Sequence, residues 1–394
     1  MKIANKRDCT GCMACVDSCS KGALKPKVDS NGYYEILFDS SKCVECGLCT
    51  KVCPIVTKDS NEIKTSSPYA VWCKKKDLRL QSASGGAFSA LAYQVLQEGG
   101  VVYGACIDEF AVKHKRVDTI EDLPSILGSK YQHSATEGIF RLVRKDLREG
   151  HTVLFCGMAC QIAGLKSFLR NANTDNLYTI DTICGGLSTM LPMLHLKQSG
   201  KYSGIISFRD KEHGWQSKGF RYALKMRKAD GSVENLGLDN LVLNTFSSKL
   251  LKRSSCLDCQ FTGNNRVSDC TIGDFWGDER FKDEHYEGVS VLIAHNDKIY
   301  HLLKKSDIEC KAIDFKDFIY GNHNYYWTHY PHIRYFYSRK KALTAMKHGK
   351  YEIAARLMRP NSLAGLWMRV YLKCNILFRN IFKDKILLNT SLKK

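Results

Sequence analysis

Eight cysteines near the N-terminus have the spacing of iron–sulfur ligands. Two runs with the pattern C-x2-C-x2-C-x3-C supply them: Cys9, Cys12, Cys15 and Cys19, then Cys43, Cys46, Cys49 and Cys53. In this pattern three thiolates of one tight loop bind three corners of a [4Fe–4S] cubane, and the fourth crosses to a neighbouring cluster. The residues therefore predict two clusters that carry single electrons.

The order of the two runs sets the predicted ligand assignment. We assign one cluster to Cys9, Cys12, Cys15 and Cys53, and its neighbour to Cys43, Cys46, Cys49 and Cys19. The small residues Gly11, Ala14 and Gly47 leave room for backbone amides near the sulfides. A pair of zinc sites is the alternative, but two complete runs in this order are typical of bacterial two-cluster ferredoxins.

Four of the remaining cysteines could form a further metal site. Cys256 and Cys259 make a C-x2-C pair, while Cys160 and Cys184 each follow a predicted strand beside glycines. Ends of parallel strands are where such sheets collect ligands, so we expect a third [4Fe–4S] site there. On spacing alone, ordinary buried thiols remain the alternative. We interpret the others as packing residues: Cys73, Cys106, Cys156, Cys270, Cys310 and Cys374.

Composition limits the class of protein. The chain has 394 residues, 18 cysteines and a net charge of +19. No apolar stretch of about 18 residues predicts a membrane span, and the start "MKIANKRDCTGC" lacks a signal-peptide core. We therefore expect a cytoplasmic protein, where abundant cysteine indicates metal or redox chemistry. The charge favours an acidic partner, but without a nucleic-acid-binding motif we expect no nucleic acid.

Alternating strands and helices must position these groups. Residues 69–73, 101–106, 152–157 and 177–186 are predicted strands, and residues 85–99, 136–150 and 161–171 are predicted helices. This alternation indicates a parallel or mixed α/β sheet. Beyond residue 200 the pattern is looser, with β-type runs that predict an α+β portion.

The predicted organisation has four parts. They are a small ferredoxin-like head (1–60), an α/β core (68–195), an α+β domain (196–332) and a basic helical tail (333–394).

Several stretches resemble the coenzyme F420 hydrogenase/dehydrogenase beta-subunit family, here fused to a ferredoxin domain. They are SASGGAFSALA (82–92), GSKYQHS (128–134), LFCGMACQIAGLKSFL (154–169), IDTICGG (180–186), SFRDKEHGW (207–215) and CLDCQFTGNNRVSDCTIGDFWG (256–277). The resemblance implies a flavin, FAD, beside a [4Fe–4S] cluster. It places the cluster ligands at Cys160, Cys184, Cys256 and Cys259. The sequence departs from the family at Met158-Ala159, where threonine-proline is common, and at Gly185, where histidine is common.

The same resemblance implies the flavin contacts. They are Ser84, Gly85 and Gly86, then Gly128, Ser129, Lys130 and Tyr131, and finally Asp274, Phe275, Trp276 and Gly277. A Ser-Gly-Gly turn that opens a helix suits a pyrophosphate, although it is also a common helix start. Candidate substrate-pocket residues are Arg209, Asp210, Lys211 and Trp215, for which a surface salt-bridge loop is the alternative.

These features predict an iron–sulfur flavoprotein oxidoreductase, and no residue is assigned as catalytic. It would pass electrons between reduced ferredoxin, or a redox partner subunit, and a two-electron organic acceptor. Coenzyme F420 is the acceptor that the family name suggests; a glycan-related acceptor of surface-polysaccharide synthesis is another that the resemblance implies. A non-catalytic electron-transfer subunit is the competing hypothesis.

The tail raises a separate question. From residue 340 onward, thirteen basic side chains stand against two acidic ones, around the apolar run "LAGLWMRVYLKCNILFRNIF". A basic amphipathic helix can lie on the inner face of an anionic membrane, giving a peripheral location. The alternative is a C-terminal helix that packs on the domain.

Overall fold

The computed structural model describes residues 3–57, 66–209, 211–212, 214–215, 223–237, 240–263, 266–276, 279–319, 321–325 and 333–358. Among the residues named above, Asp210, Gly277 and Cys374 lie outside these ranges, as does the tail beyond residue 358.

The head contains two copies of one cysteine-loop motif, and each loop leads into a short helix. Its elements are α1 (Ala14–Ser18), β1 (Leu24–Val28), β2 (Tyr34–Phe38), α2 (Leu48–Lys51) and α3 (Pro54–Thr57). Gly11 and Met13 have positive φ in the first cysteine run, and Glu45 and Gly47 have it at the matching places of the second. Left-handed residues in a tight loop turn successive N–H groups toward one point. Both runs are therefore shaped to surround an anionic group.

A nine-stranded mixed sheet forms the centre of the molecule. Its strands are β3 (Ser67–Cys73), β4 (Val101–Asp108), β5 (Ala111–Val117), β6 (Ser134–Ala135), β7 (Val153–Gly157), β8 (Leu177–Thr182), β12 (Cys270–Asp274), β13 (Ser290–Ala294) and β14 (Ile308–Ala312). The order is β14-β3-β13-β12-β8-β7-β4-β5-β6. The inner strands β12, β8, β7 and β4 are parallel. The mixed α/β sheet predicted from the alternation is confirmed.

Helices cover both faces of this sheet. They are α4 (Lys76–Gln81), α5 (Ala87–Gln97), α6 (Ile139–Arg148), α7 (Ala159–Leu169), α11 (Lys298–Lys305) and α12 (Phe315–Ile319). Leu154 of β7 packs in the core with α5 and α11, whereas its neighbours Val153 and Phe155 pack with α6 and α7. This alternation is the period of two expected for a strand that is buried on both faces.

A three-stranded sheet and further helices follow. The sheet has the order β11-β10-β9, from β9 (Tyr202–Ser207), β10 (Lys225–Lys228) and β11 (Val233–Asn235), and the helices are α8 (Leu191–Gln198), α9 (Leu241–Ser248) and α10 (Ser254–Leu257). The central sheet draws strands from both 68–195 and 196–332. The two proposed domains thus share one sheet.

The described part of the tail packs on the body of the protein. It forms α13 (Ile333–Lys347) and α14 (Tyr351–Met358). Ala342, Met346 and Ala354 are buried in a cluster with Leu250 and Leu251. Among the described residues, no helix is both long and apolar enough to cross a membrane.

Candidate functional site

The four cysteines assigned to the first cluster meet at one point. Cys9, Cys12, Cys15 and Cys53 all line a single small cavity in the head. Burial above all, together with the neighbouring thiols of Cys9 and Cys53, raises the pKa of Cys12 to about 12. Four thiols that converge on one point are what a metal cluster requires. We call this group the inner cysteines.

The other four head cysteines, the outer group, lie nearer to solvent. Cys19 and Cys49 pack beside Met13 and Val16, while Cys43 is half-buried and Cys46 is exposed. The outer group is therefore the more accessible one.

Cys160, Cys184, Cys256 and Cys259, the core cysteines, come from three separate segments. Cys160 is in the first turn of α7, just after β7, and Cys184 lies just after β8. Because β7 and β8 are parallel neighbours, these two residues emerge at the same edge of the sheet. An isolated bridge between Ser188 and Lys252 then brings the segment with Cys256 and Cys259 alongside.

The chemistry of the core cysteines suits a metal cluster. Burial raises the pKa of Cys160 well above its usual value, and Cys259, Cys256 and Cys184 raise it further. Backbone N–H groups already point at two of the sulfurs: Gly186 donates to Cys184 Sγ and Leu187 to Cys256 Sγ, each at 3.3 Å. Such bonds stabilise thiolates. The convergence expected from the sequence is therefore present in the structure, and iron ligation remains our prediction.

The head is fixed to the core by buried polar contacts. Asp17 accepts hydrogen bonds from the N–H groups of Gly138 and Phe140, at 2.6 and 2.9 Å, at the start of α6. Arg253 donates to the carbonyl oxygens of Cys9 and Tyr34, both at 2.6 Å. Since Arg253 stands beside the core cysteines, it joins the inner group to them.

A cavity of about 300 Å³ opens beside the core cysteines. This is at the lower end of the usual range for small-molecule sites. Its wall includes Cys184, together with glycines from six segments: Gly86, Gly104, Gly128, Gly157, Gly185, Gly186 and Gly273. A Cβ atom on Gly104 would lie 3.1 Å from Ile126, and one on Gly273 would lie 2.7 Å from Ile183. Glycine therefore keeps the walls close together and free of side chains.

Most of the predicted flavin contacts meet at this cavity. Ser84, Gly86, Gly128, Ser129, Lys130, Tyr131 and Asp274 all line it. Of the predicted residues that the structure describes, Gly85, Phe275 and Trp276 are not part of the lining. Trp276 instead stacks on Trp215, with ring centroids 4.7 Å apart.

The Ser-Gly-Gly turn is more tightly bonded than the sequence implied. Gly85 N–H donates to Ser290 Oγ at 2.9 Å, and Gly86 N–H donates to the carbonyl of Ala83. A Cβ on Gly85 would meet the carbonyl oxygen of Val71 at 2.4 Å. These two amides are thus engaged within the protein, and a pyrophosphate would have to be held by other groups.

Lys130 supplies a cation to the cavity wall. Its Nζ donates to the carbonyl of Leu127 at 2.5 Å. Burial lowers the pKa of Lys130 to about 8, so most of its population stays charged at neutral pH.

The proposed substrate-pocket residues lie outside the cavity lining, among those that the structure describes. Lys211 is buried and donates to the backbone carbonyls of Arg79, Ser84 and Glu287. Arg209 pairs with Asp274 at 3.0 Å, and its guanidinium lies 5.8 Å from the ring centroid of Trp215. These side chains support the wall from behind, so the substrate-pocket hypothesis for them is not supported by the geometry.

Sequence reasoning missed three side chains. His114 and Gln132 line the cavity. Gln161 lines it too and fixes the turn before α7: it accepts from Met158 N–H at 3.0 Å and donates to Ser134 O at 2.9 Å. Gln161 had a usable signal, since it follows Cys160 in the "CQ" pair, and Gln132 had one because it lies in the family-like stretch GSKYQHS; His114 had none. Cys156, predicted to pack in the core, does so, and also lines the cavity.

Comparison with known proteins confirms the resemblance seen in the sequence. Residues 150–318 match the family model for the C-terminal part of the coenzyme F420 hydrogenase/dehydrogenase beta subunit, and residues 8–56 match that of the 4Fe–4S dicluster domain. Among solved structures, a chain from the F420-reducing [NiFe] hydrogenase complex of Methanosarcina barkeri has a TM-score of 0.43 at 14% identity, covering 72% of this chain and 90% of that one. No curated protein matches the sequence.

Proposed function

We propose that this chain, an iron–sulfur protein that joins a 4Fe–4S dicluster domain to a coenzyme F420 hydrogenase/dehydrogenase beta-subunit domain, is a flavin-dependent oxidoreductase. It would transfer electrons between a one-electron protein donor, such as reduced ferredoxin, and a two-electron organic acceptor. The site would hold FAD in the cavity and a third [4Fe–4S] cluster at the core cysteines.

One observation supports this most strongly. Cys184 belongs both to the core cysteines and to the cavity wall. A planar cofactor in the cavity would therefore lie next to the cluster that Cys184 helps to bind. A bound flavin supplies the exchange between one-electron and two-electron chemistry.

The three cysteine groups form a continuous series. The outer group is the most accessible, the inner group lies between, and α7 joins the inner group to the core cysteines. Cys12 of the inner group is close enough to raise the pKa of Cys160, after burial and the other core cysteines. This order supports a path from the head surface to the cavity.

The residues of the chain itself have separable tasks in this proposal. The glycine-rich wall admits a flat ring, the apolar residues Phe88, Ile126 and Ile272 exclude water, and Lys130 faces the ligand with a positive charge. The glycine-rich, mostly apolar lining and the cation of Lys130 support a flavin ring in this cavity.

Anaerobic purification with iron, sulfide and flavin analysis tests the proposal. We expect roughly twelve irons, four for each of three clusters, and one FAD per chain. About eight irons per chain and no flavin, both before and after anaerobic reconstitution with iron, sulfide and FAD, would contradict the third cluster and the flavin site. Acceptors can then be screened, beginning with coenzyme F420, which the family name suggests.

A non-catalytic electron-transfer subunit is the second candidate, and the head surface favours it. Leu37, Phe38, Val44 and Leu48 are large exposed apolar residues near the outer group. Exposed apolar patches are typical of protein contacts, and a fixed redox partner could cover this one. Turnover of a two-electron acceptor by the purified chain alone would favour the enzyme; reduction of the clusters without turnover would favour the electron-transfer role.

A further inference from the structure

Two buried hydrogen-bond acceptors stand unsatisfied in the cavity wall. Within the described part of the chain, neither His114 Nδ1 nor Gln132 Oε1 has a hydrogen-bond partner. Both residues line the cavity next to Lys130. A buried polar atom without a partner costs free energy, so a ligand that hydrogen-bonds with both side chains would be favoured.

The contacts of His114 determine what it can offer. Its Nε2 lies 3.0 Å from the carbonyl oxygen of Cys156, and a carbonyl can only accept, so Nε2 carries the proton. Burial lowers the pKa of His114 to about 4, and the ring is therefore neutral at pH 7. In this tautomer Nδ1 has no proton and can only accept a hydrogen bond. Stacking on Phe155, with ring centroids 5.1 Å apart, fixes the plane of the imidazole.

Gln132 adds a side-chain amide, which can either accept or donate a hydrogen bond. A glutamine amide can present either its oxygen or its NH2 at the same place, because the two orientations have the same shape. Beside the fixed acceptor of His114 and the cation of Lys130, it can bond an N–H or a carbonyl oxygen.

We propose that His114, Gln132 and Lys130 together bind the edge of a pyrimidinedione, in which one N–H stands between two carbonyl groups. His114 Nδ1 accepts from the N–H, and Lys130 donates to one flanking carbonyl oxygen. Gln132 turns its amide so that the NH2 group donates to the other carbonyl oxygen. The inference rests on the proposed function and sharpens it. This edge is shared by a flavin cofactor and by a deazaflavin acceptor, and both are ligands of the same chemical class.

Methylation of the ring nitrogen between the two carbonyl groups provides the test. The full-length protein with its clusters in place is stripped of flavin and titrated with FAD and with its N3-methyl derivative, then with 5-deazariboflavin and its N3-methyl derivative. Quenching of ligand fluorescence gives each affinity. In the wild type we expect the unmethylated form of one pair to bind roughly tenfold tighter or more, because the methyl leaves His114 Nδ1 unpaired. The pair that shows this preference identifies the source of the edge.

Variants separate this role from a structural one. His114→Phe keeps an aromatic ring against Phe155 and should reduce the preference for the unmethylated ligand to less than about threefold. The second variant is Gln132→Leu, which replaces a half-buried side chain of the same edge site. Phe88→Leu alters an apolar part of the wall and should weaken both ligands of a pair equally. Iron content, unchanged in each variant, verifies that the protein is folded.

The outcomes distinguish the assignment of the pyrimidinedione edge from the proposed function on which it rests. FAD binding with no discrimination against the methyl group would overturn the edge assignment and leave the proposed function standing. Failure of both pairs to bind would overturn both. Discrimination that persists in His114→Phe and in Gln132→Leu would also overturn the assignment.

Discussion

Gly164 in α7 lies directly against Cys12 of the head. A Cβ atom on Gly164 would be 2.7 Å from Cys12 Sγ and 3.4 Å from Phe140. Real Cβ atoms do not approach so closely, so this helix needs glycine where the head docks. The contact also explains why an element that carries Cys160 in its first turn can lie so near the inner cysteines.

Gly164→Ala should therefore damage the inner cluster. Alanine in a helix interior normally stabilises by up to about 1 kcal/mol relative to glycine, but here it would displace Cys12. We expect a loss of about four irons per chain, measured by iron and sulfide analysis and by electron paramagnetic resonance of the reduced protein. Ser167→Ala, in the same helix, should retain full iron. Full iron and unchanged spectra in Gly164→Ala would contradict this reading of the contact.

The two cysteines that flank the β7–α7 turn should behave differently. Cys160→Ala should remove the third cluster, again about four irons, and abolish reduction of the bound flavin by a one-electron donor. Cys156→Ala serves as the matched control, since Cys156 packs against the core beside the cavity; it should keep the iron. Equal iron in the two variants would show that Cys160 is not a ligand.

The sequence predicted seven elements between residues 67 and 186, namely β3, α5, β4, α6, β7, α7 and β8, because each has a clear period; it missed α4, β5 and β6 in the same range. It could not predict that β12, β13 and β14 join the same sheet. β13 and β14 pair antiparallel with β3 across more than 200 residues, and no local pattern encodes such a pairing. The convergence of the cysteines was predictable because their spacing and their positions at strand ends constrain them.

The polar wall of the cavity was less predictable. His114 is a lone histidine on a strand, and such a residue usually packs in the core. Its role depends on the carbonyl of Cys156, to which it bonds from another strand. Lys211 was unpredictable for a related reason: a lysine in a charged loop normally faces solvent, but here three carbonyl oxygens accept hydrogen bonds from its Nζ.

Lys211→Met should lower stability markedly. The ammonium group donates at 2.6 Å to both Arg79 O and Glu287 O, and also to Ser84 O. Removing it leaves buried carbonyl oxygens unpaired, and we expect a loss of about 3 kcal/mol in the free energy of unfolding. Denaturant unfolding measures it. Lys113→Met, which breaks an exposed pair with Asp108, should change stability by less than about 1 kcal/mol. Similar small losses in both variants would show that the Lys211 contacts contribute little.

Acid should destabilise the fold partly through His114. Burial lowers the pKa of His114 to about 4, and nearby Lys130 lowers it too, against the raising effect of the Cys156 carbonyl. An unfolded histidine has a pKa of about 6.5. Between these values the unfolded chain binds more protons than the native one, so stability falls as the pH drops from about 6.5 to about 4.

The shift of His114 corresponds to roughly 3 kcal/mol over that window. His114→Gln cannot titrate there, so its stability should decline less steeply with acid than that of the wild type. Urea unfolding of both proteins at pH 7 and near pH 5 measures how much unfolding free energy each loses with acid. Burial also lowers the pKa of His295 to about 3, so the stability of His114→Gln should still fall somewhat with acid. His295→Gln is therefore a matched comparison. Parallel pH profiles for wild type and His114→Gln would mean that His114 is protonated as easily in the native state as in the unfolded chain.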